Sequence, residues 1–243
     1  MGEYNLPLLD KRGIQGDSDN KGLRLISVNS CLFVANLSHF RYYFTTINMK
    51  RRARVERKTS EVTVTVDINI DGNGKYDVET GIPFFDHMLS QFAKHGYFDL
   101  KVRAKGDIEV DYHHTVEDVG IALGEAFHNA LGDKKGITRF GEAFVPFDET
   151  LVFASVDLSG RPYFVHKVLN KKGKVGDFDV ELEKEFFKSL STTLKCNLHI
   201  ELRHGDNLHH IIEAAFKAVG RALDHASKID PRSKEIPSTK GKL

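Results

Sequence analysis

One five-residue motif occurs twice in this chain, and it constrains the fold more than any other feature. His113–Glu117 (HHTVE) recurs 96 residues later as His209–Glu213 (HHIIE). On a helix, residues three and four apart lie on one face, so each carboxylate shares a face with both imidazoles of its copy. Imidazoles and a carboxylate together bind divalent transition metals. The repeat therefore predicts a duplicated fold that carries two related metal sites.

The ligand types in this motif narrow the choice of metal. Adjacent residues of a helix point about 100° apart, so one His-His pair can serve two ions, which predicts shared or bridged sites. Neither copy contains cysteine, and this favours octahedral manganese, iron or cobalt over structural zinc. We predict manganese. The competing interpretation, solvated histidines at a helix start, does not account for a Glu at the same register in both copies.

The composition excludes several classes of protein. The 243 residues are 40% hydrophobic, which is enough for one sizeable core or two small ones. A formal net charge of +1 provides no strong field for nucleic acid or anionic membrane. No apolar run approaches the roughly 20 residues of a membrane span, and the two cysteines lack CxxC spacing. We expect a cytoplasmic protein with a small-molecule partner, and neither nucleic acid nor membrane as a partner.

The chain changes character at about residue 48. Residues 1–48 read as an N-terminal extension that we expect to be poorly ordered and without function. An organellar-type leader, an additional strand pair, and translation from an upstream start all stay open as explanations. The remainder divides into a first half-repeat at 49–141, a second at 142–230 and a short polar tail at 231–243.

Hydrophobic periodicity predicts the same order of elements in both halves. The first half has strands at Glu61–Ile70 and Phe98–Ala104 and helices at Pro83–His95 and His114–Leu131. The second half has two strands that are expected to pair, Leu151–Leu158 and Arg161–Val168, then a helix at Val180–Leu194, a strand at Asn197–Leu202 and a helix at His209–Ala226. The alignment places Asp111 on Asn207 and Gly124 on Gly220. Strands with two helices per half predict a duplicated α+β unit.

Three further residues are candidates for the metal site or its surroundings. His87 follows Asp86, which could hydrogen-bond a ligating imidazole, and the alignment places Glu185 opposite His87. A carboxylate at Glu185 is a competent hard ligand. His95 lies near a helix end, where the dipole favours a cationic imidazole. The plainer alternatives are a core or cap histidine at His87 or His95, and a solvated charge at Glu185.

A scattered set of basic residues could bind phosphate. Arginine makes bidentate contacts with phosphate, and a serine hydroxyl can complete the cradle. Lys217 follows Glu213 by four residues and so lies on nearly the same helical face. Taken alone, each basic residue is better explained as a solvated charge, and this explanation fits Lys217 least well. The basic set comprises Arg139, Arg161, Lys217 and Lys240, and Ser238 supplies a hydroxyl near Lys240 in the tail.

The chain also contains five longer motifs: Phe84–Leu89, Asp111–Asp118, Asp157–Pro162, His209–Ala214 and Ile236–Gly241. Together they strongly resemble the imidazoleglycerol-phosphate dehydratase family. The resemblance runs from about Arg54 to Leu243, and residues 1–48 have no counterpart in it. It implies a histidine-biosynthesis lyase that removes water from imidazole glycerol phosphate to give imidazole acetol phosphate.

The resemblance also implies an architecture, a cofactor and site residues. The fold would be α+β, with tandem β-α-β-type halves (ribosomal-protein domain-2-like) whose helices pack between two four-stranded sheets. Two Mn²⁺ ions per active site, sites completed by neighbouring subunits and a homo-oligomer of 24 chains are implied as well. Metal-ligand positions of the family match His87, His113, His114, Glu117, His209, His210 and Glu213. Glu185 stands where the family usually has His, and we include it as a ligand.

Substrate-contacting positions of the family match a second set, placed mainly around the phosphate. They are Glu61, His87, His95, Arg139, Arg161, Lys217, Ser238 and Lys240, so the tail at 231–243 is expected to bind substrate. Glu61 is our leading acid–base candidate and His95 is the second, because positioned carboxylates and imidazoles move protons. Two other interpretations stay open from the residues alone. One is a binuclear hydrolase of a phosphate ester, and the other is a non-catalytic scaffold stapled by metal.

Overall fold

The computed structural model describes residues 51–168 and 172–243, together with three strands of the N-terminal extension. These strands form an antiparallel sheet in the order β1-β2-β3, with bounds Leu23–Val28, Cys31–Asn36 and Arg41–Thr45. The other residues of 1–48 lie outside the described residues, so the expectation of poor order stays a prediction. A second compact unit runs from Lys50 to Leu243, and every candidate site residue belongs to it.

The second unit contains one order of elements twice, β-β-β-α-β-α. The first copy comprises β4 (Arg52–Lys58), β5 (Val62–Asn69), β6 (Tyr76–Glu79), α1 (Pro83–His95), β7 (Asp99–Gly106) and α2 (His113–Leu131). The second comprises β8 (Phe140–Phe147), β9 (Thr150–Asp157), β10 (Tyr163–Lys167), a two-strand insertion of β11 (Lys174–Val175) and β12 (Phe178–Asp179), α3 (Leu182–Leu194), β13 (Asn197–His204) and α4 (Leu208–Ser227). The boundary inferred at 141/142 thus falls inside β8.

The two four-stranded sheets have the same topology, which confirms the duplicated α+β fold. Their strand orders are β4-β5-β7-β6 and β8-β9-β13-β10, and the last pair of each is parallel. The expectation that Arg161–Val168 pairs with Leu151–Leu158 is wrong, because β13 lies between β9 and β10. A parallel neighbour needs a crossover connection, and α3 supplies it between β10 and β13.

The strand predicted from Glu61 begins one residue later. β5 buries Val62, Val64 and Val66 against the core through its period of two. Glu61 lies in the bend before the strand, with its amide donating to Thr59 Oγ1 over 3.2 Å. The candidate acid–base residue therefore stands on a turn at the end of the sheet.

The four described helices lie between the two sheets and pair across the repeat. α2 packs on β4 and β5, and α4 packs on β8 and β9. α1 packs against α4, and α3 against α2. Two equivalent glycines permit these crossings: a Cβ at Gly124 would lie 2.5 Å from the Leu190 carbonyl oxygen, and one at Gly220 would lie 2.6 Å from that of Phe92. Each motif helix thus meets a helix from the other half.

None of the described helices combines the length and the apolar character that a membrane crossing requires.

Candidate metal centre

The second copy of the motif meets His87 where α4 packs against α1. Glu213 Oε2 lies 3.0 Å from His87 Nε2 and 3.1 Å from His209 Nε2. The ligand atoms of the three side chains all lie within 4.8 Å of one another. In the described part of the chain, this is the single set of three or more His, Cys, Asp or Glu ligands within that limit. We call His87, His209 and Glu213 the triad.

The triad is organised around a buried, charged carboxylate. Glu213 is 5% exposed, and its second oxygen accepts a bond of 2.6 Å from Lys217 Nζ. Burial raises the pKa of Glu213, but the bonds from Lys217, His87 and His209 outweigh it, and the pKa lies below its usual value. The side chains of His87 and His209 are 46% and 42% exposed. The triad therefore offers two imidazoles and a carboxylate on a face open to further ligands.

Asp86 does not serve as the expected partner of His87. Its Oδ1 accepts bonds from the backbone amide (2.9 Å) and hydroxyl (2.6 Å) of Thr80, which fixes the loop before α1. Neighbouring residues of a helix diverge by about 100°, so Asp86 faces away from the triad. Glu213 from the other half takes the place that was expected for Asp86.

His95 ends α1 and is half-buried. Burial lowers its pKa, and the nearby charges of Lys217 and Arg221 lower it further. The imidazole is therefore neutral at neutral pH, in contrast to the cationic histidine favoured by a helix dipole alone. A neutral imidazole can both accept and donate a proton.

The first copy of the motif meets α3 in the equivalent way but is less tightly gathered. His113 and Glu185 line one cavity of 620 Å³. Glu185 is bound to Lys188 on its own helix at 3.2 Å. Together with Glu117 they form no group within the 4.8 Å limit that the triad meets, among the residues described. The structure thus brings His113 and Glu185 to one cavity without gathering all three candidate ligands.

The second histidine of each copy is held by a carboxylate at Nδ1. His114 Nδ1 lies 3.0 Å from Asp107 Oδ2 and 3.8 Å from Glu61 Oε2, and the bond from Asp107 raises the pKa of His114, with the Glu61 charge adding to it. His210 Nδ1 lies 2.7 Å from Glu149 Oε2. This bond is the main reason that the pKa of Glu149 is lowered to about 2. In both copies the carboxylate occupies Nδ1, so Nε2 is the ring nitrogen that could bind a metal.

Sequence reasoning missed Asp107 and Glu149. Glu149 immediately precedes β9, as Glu61 immediately precedes β5, so aligning the strand starts of the repeat would have identified it. Asp107 has no such signal, since its role depends on the path of the loop between β7 and α2.

The basic residues, apart from Lys217, gather at a different place. A cavity of 360 Å³ is lined by Arg139, Arg161, Ser238 and Lys240. Arg139 is fixed by bonds of 2.7 and 3.1 Å to Asp157 and donates to the Pro237 carbonyl oxygen at 2.9 Å. The C-terminal tail is thereby held against the β9 end of the sheet. With Lys242, four cationic side chains line this cavity, and Thr239 adds a second hydroxyl. Such a lining suits a phosphate group.

Comparison with known proteins gives one consistent answer. The sequence model for imidazoleglycerol-phosphate dehydratase matches residues 80–223. The chain is 58% identical over 195 residues to the imidazoleglycerol-phosphate dehydratase of Pelobacter propionicus, and 60% over 193 residues to that of Caldanaerobacter subterraneus. These alignments cover 80% and 79% of this chain and 100% of each relative.

Solved structures agree with these relatives. The imidazoleglycerol-phosphate dehydratase of Staphylococcus aureus is similar with a TM-score of 0.67 at 37% identity, covering 74% of this chain and 99% of that chain. The enzyme of Pyrococcus furiosus is similar with a TM-score of 0.67 at 39% identity, covering 78% and 100%.

Proposed function

The chain belongs to the imidazoleglycerol-phosphate dehydratase family. We propose that three places contribute to the dehydratase reaction: the triad, the 620 Å³ cavity lined by His113 and Glu185, and the 360 Å³ cavity lined by Arg139 and Arg161, which we call the cation cavity. The protein is a hydro-lyase of histidine biosynthesis that removes water from imidazole glycerol phosphate to give imidazole acetol phosphate. The alternatives of a phosphate-ester hydrolase and a non-catalytic scaffold are therefore set aside. The residues that perform the reaction are assigned below as proposals.

The observation that carries the metal assignment is one carboxylate oxygen within 3.1 Å of two imidazole nitrogens from different helices. Nitrogen and oxygen donors without a thiolate fit Mn²⁺, and the open face leaves positions for substrate. We propose two Mn²⁺ ions per active site, one held by the triad and one by His113, Glu117 and Glu185, with His114 and His210 as further ligands. A divalent ion bound there supplies a Lewis acid and a template for the substrate imidazole.

The substrate phosphate is assigned to the cation cavity. Arg161, Lys240 and Ser238 line it, and Arg139 is kept in place by Asp157 and by the tail. A dianionic phosphate there would hold the substrate chain in register while the reacting carbons lie near the metals. We expect removal of the Arg161 guanidinium to raise KM much more than it lowers kcat.

Proton transfer is assigned to Glu61, with neutral His95 near Lys217 as the second candidate. The Glu61 side chain is 52% exposed and stands 3.8 Å from His114, so it can reach a substrate beside the metal ligands. A carboxylate in this position can take the weakly acidic carbon-bound proton and return it to the departing hydroxide. Glu61→Gln keeps the shape but loses the base, and we expect turnover to fall by about a hundredfold or more; near-normal turnover would contradict the assignment.

Assembly is part of the proposal. The triad lines neither the 620 Å³ cavity nor the 360 Å³ cavity of the same chain, which supports an active site completed by neighbouring subunits. We propose a cytoplasmic homo-oligomer of 24 chains. Native mass spectrometry before and after chelation tests whether metal ligands bridge subunits: a smaller particle is expected, and an unchanged mass would show that they are not needed for assembly.

One assay tests the function directly. Purified, Mn-loaded protein is incubated with imidazole glycerol phosphate, and the enolisable ketone and free phosphate are followed separately. Ketone without phosphate is expected. Release of phosphate would instead indicate a hydrolase, and absence of both products would indicate a scaffold.

A further inference from the structure

Glu149 occupies the same place in the second half that Glu61 occupies in the first. Each residue immediately precedes the second strand of its sheet, β5 or β9. Each also faces the second histidine of its half, at 3.8 Å for Glu61 to His114 and at 2.7 Å for Glu149 to His210. Both halves therefore have a carboxylate at the equivalent turn, but its distance from the second histidine of the motif differs.

The reason for the difference lies in the loop before each motif helix. In the first half, Asp107 follows β7 and binds His114 Nδ1 at 3.0 Å. At the offset of 98 that aligns Leu100 with Leu198, the counterpart of Asp107 is Gly205, which has no side chain. The second half therefore lacks that partner, and Glu149 reaches His210 Nδ1 in its place. Glu61 therefore remains available for the proposed proton transfer.

The hydrogen bonds of Glu149 indicate which ring nitrogen of His210 carries a proton. Oε1 accepts the Asn207 amide at 3.1 Å and the Thr150 hydroxyl at 2.9 Å, and Oε2 contacts His210 Nδ1. An ionised carboxylate only accepts hydrogen bonds, so Nδ1 carries a proton, and when the ring is neutral Nε2 carries the lone pair. The His210 ring also packs on Phe147 with centroids 4.6 Å apart, which leaves it little freedom.

We propose that Glu149 is a positioning residue that fixes the Nδ1–H tautomer of His210 and presents its Nε2 to the catalytic metal. The inference rests on the proposed metal function. Carboxylates behind a ligating imidazole orient it and raise its basicity, and their loss reduces metal affinity about 10–100-fold. In the first half Asp107 has the same role toward His114.

The test uses Glu149→Gln, which keeps the size of the side chain. The Asn207 backbone N–H requires the oxygen of the new amide, and the Thr150 hydroxyl can donate to the same oxygen, so the NH₂ group faces His210 Nδ1. That arrangement forces the proton onto Nε2, the wrong tautomer for binding. In the full-length apo protein we expect Mn²⁺ affinity, measured by titration with detection of free Mn²⁺ by electron paramagnetic resonance, to fall about 10–100-fold. We expect the metal-free unfolding midpoint to be unchanged, and activity to recover with excess Mn²⁺.

Two further variants keep the outcome unambiguous. Glu149→Ala should weaken Mn²⁺ binding similarly. Glu142→Gln serves as the matched control, because it makes the same change at an exposed residue of β8 that is not among the candidate ligands, and it should leave Mn²⁺ binding unchanged. If Glu149→Gln binds Mn²⁺ as the wild type does, or loses affinity only together with metal-free stability, the positioning role is overturned. If the wild type itself binds no Mn²⁺, the metal function fails and this inference fails with it.

Discussion

The two copies of the motif begin equivalent helices but have different surroundings. In the second copy, His209 and Glu213 meet His87, and Lys217 binds the buried carboxylate. In the first copy, the position equivalent to His87 is Glu185, and the position equivalent to Lys217 is Ile121. The second set therefore has two imidazoles, one carboxylate and a cation. The first has one imidazole, two carboxylates and no lysine at that position.

The difference in charge explains why only one set is gathered without a metal. In the triad, imidazole and ammonium groups surround Glu213, so the side chains hold one another. Two carboxylates repel each other when brought together, and Glu185 binds Lys188 on its own helix instead. The comparison teaches that the motif fixes where the candidate ligands lie on a helix, while the partner helix decides whether they come together.

The largest expected effect comes from Glu213→Gln. It removes the group that joins His87, His209 and Lys217, and it leaves Lys217 buried without its carboxylate. We expect kcat to fall about a thousandfold, since metal catalysis contributes several kcal/mol. The metal-free protein should lose about 3 kcal/mol of unfolding free energy, measured by chemical denaturation with a chelator present.

Glu117→Gln is the matched control for this prediction. It removes the equivalent carboxylate of a set that is not gathered, so metal-free stability should stay within about 0.5 kcal/mol of the wild type. Activity should still fall, because the second proposed ion loses a ligand. Equal losses of metal-free stability in both variants would show that the two sets are organised alike.

Much of the fold could be predicted from the sequence where the local signals were strong. The predicted helix at Pro83–His95 is confirmed, and α4 differs from its prediction by one residue at each end. In both helices the residues at the helix start and the apolar face predict nearly the same bounds. β8 was missed because its exposed face carries Phe140 and Phe144, which removes the polar alternation of a half-buried strand. β6 has only four residues, and none of them is fully buried.

The residue types of the candidate ligands could be named from the sequence, but their arrangement could not. The types and spacing of the ligands follow from the repeated motif. The meeting of His87 with His209 depends on α1 crossing α4, and the Glu149 bond depends on a β-turn approaching a helix start. Contacts between distant segments are set by packing, which periodicity does not encode.

The second prediction exchanges the ligand types of the two sets. Glu185→His gives the first set the imidazole that the second set has, and His87→Glu does the reverse. Imidazole suits zinc and carboxylate suits manganese, so we expect the Mn²⁺-to-Zn²⁺ preference of the altered set to shift on the order of tenfold, in opposite directions. Competition titrations of the two metals measure it. Shifts of the same sign would mean that ligand type does not distinguish the sets.

The smallest expected effect concerns Lys217, which binds the carboxylate that a metal would use. In Lys217→Met the carboxylate loses a competing cation, so Mn²⁺ affinity at pH 7 should rise about threefold. Lys217 lowers the pKa of Glu213, so without it the carboxylate protonates at a higher pH, and as the pH falls Mn²⁺ binding should be lost earlier. Isothermal titration over a pH series measures both effects. Ile121→Lys is the reciprocal variant, and it should weaken Mn²⁺ binding at the first set. If Lys217→Met loses Mn²⁺ binding at the same low pH as the wild type, the lysine does not set the charge of the triad.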